Sequence, residues 1–337
     1  MGRARQDPAP ASRPAASGAA GLEAALLAEF GQRWPALCEA LLLPRRHAVR
    51  PNPRLHATLA PALAQLPPVV GIADARLCDD PISGLSPDEA YFLDPASLRV
   101  AALLDVQPGD AVLDLCAAPG GKALCIADAL VDDDGGLDGH LHLNELSDAR
   151  RFRLLSTLRG WLPAPAASAI LLTGHDGSRF GLHRPDAFDR VLLDAPCSSE
   201  RHVLLDAAAL QAWTPSRPRQ LAQRQFALLC AAIDACRPGG RVVYATCALL
   251  EAENDAVVAR ALTRRSGRVH KVALPASDLR LSGSEPTAHG WRWLPDTSGE
   301  GPMYAALLEI EADAEVQSAD DGSAGAPWQR PRRGGAG

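Results

Sequence analysis

Short apolar runs alternate along this chain with longer stretches in which apolar residues return every three or four positions, a succession that predicts strands alternating with helices from residue 94 onward. The predicted strands are the runs at 111–115, 140–143, 169–172, 190–193, 241–245 and 304–310. Helical spacing predicts helices over 96–104, 122–130, 147–161, 219–236 and 251–265, with Ser147 placed to cap the third and Pro238-Gly239-Gly240 to close the fourth. Alternation of this kind implies an α/β domain built on a doubly wound, mostly parallel sheet. In such sheets ligands gather at the carboxyl ends of the strands.

Before residue 94 the pattern is different. Residues 1–21 are Ala, Pro, Ser, Gly and Arg with almost no bulky apolar side chain, and disorder is expected there. Arginines with few acids also fit an organelle transit peptide. The same composition is common in chains from GC-rich genomes, so a cytoplasmic location is the expectation and a mitochondrial one the alternative. From 22 to 43 apolar residues stand at helical spacing (Leu22, Leu26, Leu27, Phe30, Trp34, Leu37, Leu41), interrupted at Pro35, and a basic stretch follows over 44–54. These segments and the residues up to 93 predict a small, mainly helical N-terminal lobe, 22–93, ahead of the strand-and-helix domain, 94–312. The tail at 313–337 is expected to be disordered.

Most of the chemistry falls at the predicted strand tips. The first strand runs into Cys116-Ala117-Ala118-Pro119-Gly120-Gly121, and a helix opens at once. The first amides of such a helix have no internal partner, so a polar or anionic ligand can lie against them, and glycine lets the backbone approach it closely. The loop has neither G-x-G-x-x-G nor Walker spacing, which points away from dinucleotides and nucleoside triphosphates. Glu145, at the next strand end, is placed to accept from ribose hydroxyls, and Asp176, after the third, to reach a base edge; either could equally be a loop acid capping a helix. Asp194 with Cys197, and then Cys247, complete the row of tips. Cys38, Cys125, Cys230 and Cys236 lie inside helical patterns and read as inert. Cys197 and Cys247 follow directly on strands, where a thiolate can be stabilised.

Composition narrows the partners. The chain has 337 residues, 47% of them apolar, and no run long enough to span a bilayer. Its eight cysteines form no C-x-x-C pair, so neither a metal site nor a disulfide framework is expected. With a net charge of −6, nucleic acid could be held only by local basic patches. The candidates are Arg45 to Arg54, Arg150 to Arg159, Arg217 to Arg224, and Arg264 to Lys271; each alone is an ordinary solvated face. Lysine occurs only at Lys122 and Lys271.

Taken together, Cys116-Ala-Ala-Pro-Gly-Gly-Lys122, Asp194-Ala-Pro-Cys197 and Tyr244-Ala-Thr-Cys247 resemble, in order and spacing, the motifs of the cytosine-C5 RNA methyltransferases of the NOL1/NOP2/Sun family. The resemblance covers roughly 91–310 and takes in Asn144-Glu145 with Arg150, Glu253-Asn254, and Arg292-x-x-Pro295. Ser198-Ser-Glu-Arg-His202 is similar to the branch containing the mitochondrial members, while Gly301-Pro-Met-Tyr304 departs from the family's usual Asp-Gly-Phe-Phe. The resemblance implies a class I methyltransferase fold of Rossmann-like type, S-adenosyl-L-methionine as cofactor, and cytosine in rRNA or tRNA as substrate. It implies that Cys247 attacks carbon 6 of the base, Asp194 holds its N3 and N4 edge, Cys197 assists loss of the carbon 5 proton or release of Cys247, and Lys122 faces cofactor or base. The cofactor would lie against residues 116–122, Glu145, Asp176 and Asp194. On this reading 22–93 is an RNA-binding lobe, with a helper protein as a possible second partner. The alternatives are a catalytically silent RNA-binding ribosome-assembly factor and a DNA cytosine methyltransferase, for whose large target-recognition region the chain has no space.

Overall fold

The computed structural model describes residues 16–312; the tails at 1–15 and 313–337 lie outside the described residues. Three strands come first: β1 (His47–Pro51), β2 (Arg76–Cys78) and β3 (Ala90–Leu93). They form a small antiparallel sheet with β1 in the centre. Nine more follow: β4 (Ala111–Asp114), β5 (His140–Asn144), β6 (Leu171–Thr173), β7 (Phe188–Asp194), β8 (Cys236–Thr246), β9 (Val269–Lys271), β10 (Glu285–Pro286), β11 (Trp291–Trp293) and β12 (Met303–Ile310). They build one sheet in the order β10-β11-β12-β8-β7-β4-β5-β6, with β9 also paired to β12. The run from β8 to β6 is parallel, and β12, β11 and β10 extend it antiparallel.

The central parallel strands carry short apolar runs at 111–113, 191–193 and 242–245, because helices cover both faces, while β5 alternates leucine with histidine. On one face Leu124, Leu154 and Trp161 pack against Val112 and Leu143. On the other, Leu229, Ile233 and Val258 pack against Leu113 and Val191. The predicted helices appear as Pro95–Leu103, Gly121–Leu130, Asp148–Trp161, Ser216–Ala235 and Asp255–Arg264, and Ser147 caps the third by accepting from the Arg150 amide. Pro238-Gly239-Gly240 falls inside β8 and not at a helix end, because the helix has already stopped at Ala235. Among the described residues no helix is long and apolar enough to cross a membrane.

The N-terminal region is less uniform than its helical spacing predicts. A helix starts at Gly18, within the stretch expected to be disordered, and runs to Phe30; a second spans Trp34–Leu42. Pro35 sits in the first turn of the second helix, where a missing N–H costs nothing. The apolar residues of this hairpin belong to a different cluster from those of the β1–β3 sheet. Leu26, Trp34, Leu37 and Leu41 instead join Val203, Trp213, Leu249 and Leu250, so the hairpin braces the segments that follow Cys197 and Cys247. The sheet was not legible because its strands are short and two of them carry polar or basic residues.

An ion-pair fork fastens the hairpin: Arg33 reaches Glu285 at 2.5 Å and Asp296 at 2.6 Å. The Arg33 guanidinium holds the Glu285 carboxyl down at about 2. A carboxyl whose pKa is depressed on folding adds stability above its unfolded value, and that stability is lost as pH falls through the folded one. The melting temperature of the wild type, followed from about pH 5 down to about pH 2, should therefore drop more steeply than that of Arg33→Ala.

Candidate active site

Strand β4 delivers the chain to Asp114, and the backbone turns into the helix Gly121–Leu130. Gly120 makes the turn at φ +125°, and a Cβ there would come within 3.1 Å of Leu154 Cδ1. At Gly121 a Cβ would lie 3.0 Å from a ring carbon of Tyr91. The glycine pair is thus required by backbone angle at one position and by close packing at the other. Above the turn lies a cavity of about 220 Å³ whose walls include Tyr91, Ser97, Asp114, Asp194 and the whole of 116–122.

Of the residues expected to hold a cofactor, Cys116, Ala117, Ala118, Pro119, Gly120, Gly121, Lys122 and Asp194 all line this cavity. Glu145 and Asp176 are not in its lining. Glu145 is buried, accepts from the Ser147 amide at 2.9 Å, and stands 3.6 Å from Arg150, which in turn donates to the Ala118 carbonyl. Asp176 turns back to accept from the amide and hydroxyl of Ser178, capping a short turn. Asp114, inside the first predicted strand, lines the cavity and was not singled out from the sequence. Burial, with Asp194 close by, pushes its carboxyl up to about 8, so it is protonated at neutral pH. The available signal was an acid closing a strand whose other residues are apolar. Burial likewise pushes up the Cys116 thiol, which leaves it a neutral wall residue.

Strands β7 and β8 bring the other groups together. Lys122 Nζ donates to Asp194 Oδ2 at 2.8 Å and lies 3.3 Å from Ser97 Oγ. Burial opposes the lysine's charge, but Asp194, with Cys247 and Asp114, outweighs this and raises its pKa. Beyond Asp194, Cys197 Sγ and Cys247 Sγ approach to 3.0 Å, both as free thiols. Ser199 Oγ is 2.9 Å from Cys247 Sγ. Ser199 takes a left-handed conformation, φ +57°, as it places its hydroxyl there. Hydrogen bonding from Cys197 lowers the Cys247 pKa against the effect of burial, and Ser199 lowers it further. Cys197 moves the opposite way, raised by its bond to Cys247 and by burial. Cys247 is the thiol of the pair that ionises more readily, and thiolate is the nucleophilic form.

The basic patches divide. Arg50 and Arg54 donate to Asp128 at 2.6 and 2.8 Å, which also accepts from Trp161 Nε1, so their charge is spent on anchoring β1 to the main domain. Arg217, Arg219 and Arg224 are exposed along the helix Ser216–Ala235.

Known proteins match this chain over the same elements. The family model described as 16S rRNA methyltransferase RsmB/F matches residues 101–309. A protein of Danio rerio named tRNA (cytosine(34)-C(5))-methyltransferase, mitochondrial, is 42% identical over 179 residues, 52% of this chain and 47% of its own. The 5-cytosine rRNA methyltransferase NSUN4 of Xenopus tropicalis is 40% identical over 195 residues, 57% of this chain and 46% of its own. The chain thus spans about half the length of the curated relatives it matches. Among solved structures, a methyltransferase homolog protein from Pyrococcus horikoshii shares the fold, with a TM-score of 0.68 at 22% identity over 85% of this chain and 93% of that one.

Proposed function

We propose, from the premise that this chain belongs to the 16S rRNA methyltransferase RsmB/F family, that it is an S-adenosyl-L-methionine-dependent RNA methyltransferase acting on carbon 5 of cytosine in rRNA or tRNA. The observation that carries this reading is the meeting of two free thiols, 3.0 Å apart, next to the Lys122–Asp194 pair.

Carbon 5 of cytosine is a weak nucleophile. Addition of the Cys247 thiolate to carbon 6 makes an enamine of the ring, so that carbon 5 can take a methyl group. The cavity fits the cofactor: backbone without side chains at Gly120 and Gly121 forms one wall, and a neutral Asp114 offers a hydroxyl donor beside it. When bound, S-adenosyl-L-methionine supplies the methyl group on its sulfonium. Asp194 would hold the N3 and N4 edge of the base, with Lys122 balancing the charge that develops there. After methylation the carbon 5 proton must leave and the sulfur–carbon 6 bond must break, which returns the electron pair to Cys247. Cys197, in contact with that sulfur, is placed to protonate it and, as the thiolate so formed, to accept the carbon 5 proton.

A target cytosine has to leave its stack to enter this site, which favours a loop or an opened junction. Arg217, Arg219 and Arg224 are our candidates for contacts to the RNA backbone; a helper protein would extend the surface. The name of the Danio rerio relative supports a mitochondrial location.

Incubation with methyl-labelled cofactor and total RNA should give label in 5-methylcytosine, located by bisulfite sequencing. Under the same conditions Cys197→Ala should accumulate a protein–RNA adduct stable to denaturing electrophoresis. Unlabelled RNA of every class would leave only a silent RNA-binding factor.

A further inference from the structure

Beneath the two thiols lies a cluster that the chemistry above does not use. Ser198, Glu200, Gln225 and Glu253 are completely buried. Glu253, on the Cys247 side, accepts from the Ser198 amide at 3.0 Å. Glu200, on the Cys197 side, accepts from the Leu249 amide at 2.9 Å. The two loops therefore clasp each other reciprocally, each carboxyl reaching across to the other's backbone. Gln225 Nε2 joins in, donating to Glu253 at 2.8 Å and to the Pro196 carbonyl at 2.9 Å.

The centre of the clasp poses a counting problem. Ser198 Oγ touches a carboxyl oxygen of Glu200 and one of Glu253 at once. A hydroxyl has one hydrogen, so it can donate to only one of them. The second contact is a hydrogen bond only if that carboxyl carries a proton and donates in turn. With both carboxylates ionised, two buried like charges would face each other across a single hydroxyl.

We propose that Glu200 and Glu253 are positioning residues that share one proton through Ser198, and that this proton holds the Cys197 and Cys247 loops at their observed spacing. The use of that spacing rests on the methyltransferase reading; the proton does not. Burial raises both carboxyls, and Glu200 adds to the effect on Glu253, which reaches about 7. Arg217 acts on Glu200 from the long helix, and Glu200 and Glu251 both act on Glu29 of the hairpin. Tyr244 donates to the Glu253 carbonyl at 2.6 Å, and the thiols of Cys197 and Cys247 lie above. As pH rises through the pair's titration the proton leaves, and repulsion drives the loops apart.

Infrared difference spectroscopy on the full chain at stepped pH tests the proton. A protonated-carboxyl stretch should be present at about pH 6, with a component that disappears with a midpoint near 7 and is missing from Glu253→Gln; the band of Asp114, which titrates at about 8, is identified by its loss in Asp114→Asn. Absence of that component from the wild type, or its survival in both Glu253→Gln and Glu200→Gln, overturns the proposal. Phenylarsine oxide, which bridges paired thiols, tests the positioning. Glu253→Gln should capture it at the wild-type rate and Glu253→Ala about tenfold more slowly. Equal capture by all three overturns the positioning role, and if Glu253→Ala does not fold, the wild-type titration still decides. A normal band and normal capture without RNA methylation would refute the methyltransferase reading alone, while methylation without the band would refute the clasp alone.

Discussion

Cys247→Ala should lose methyl transfer by about four orders of magnitude or more, the scale seen when a covalent nucleophile is removed from a site whose other parts act with it as one unit. Cofactor affinity, measured by calorimetry, should stay close to wild type, because Cys247 is not part of the cavity wall at 116–122. No adduct should form in this variant, in contrast to Cys197→Ala. The contrast follows from the hydrogen bonding: Cys247 contacts both Cys197 and Ser199, and these bonds lower its pKa and favour its thiolate. Full turnover by Cys247→Ala, or an adduct in it, would reverse the two thiols' roles.

The sheet was legible because its central strands carry short apolar runs at 111–113, 191–193 and 242–245, and the residues after each run mark the strand tip. That rule placed Cys116, Asp194, Cys197 and Cys247 on one side of the molecule. It said nothing of depth, so it could not separate Asp114, which lines the cavity, from Glu145, which braces the loop through Arg150. Arg50 and Arg54 illustrate a second limit. Charge can be counted along a sequence, but whether a guanidinium faces solvent or an internal acid such as Asp128 depends on a contact between distant segments. The same holds for the hairpin, whose apolar stripe announces a partner without naming it; the partner is the pair of segments behind the two thiols. Ser198, Glu200 and Gln225 look like ordinary loop and helix polar residues until β7 and β8 lie side by side.

Breaking one contact should test how firmly the helix Pro95–Leu103, which borders the site, is tied to the segments around it. Arg99, on the helix Pro95–Leu103, holds Glu300 through two parallel bonds of 2.7 and 2.8 Å, and both residues are buried. Arg99 also donates to the carbonyls of Val70 and Leu279, so one guanidinium joins three distant segments. Next to Glu300, the Gly301 amide donates to Asp94, which caps the same helix, and that helix carries Ser97 at the edge of the cavity. Arg99→Met leaves a carboxylate buried without its cation, which should cost about 3–5 kcal/mol, seen as a fall in the urea midpoint at unchanged slope. Arg99→Met with Glu300→Leu removes both charges and should recover much of that loss, because two well-packed apolar side chains need no desolvation. A double variant as unstable as the single one would show that the carbonyl contacts of Arg99, and not its ion pair, hold the three segments together.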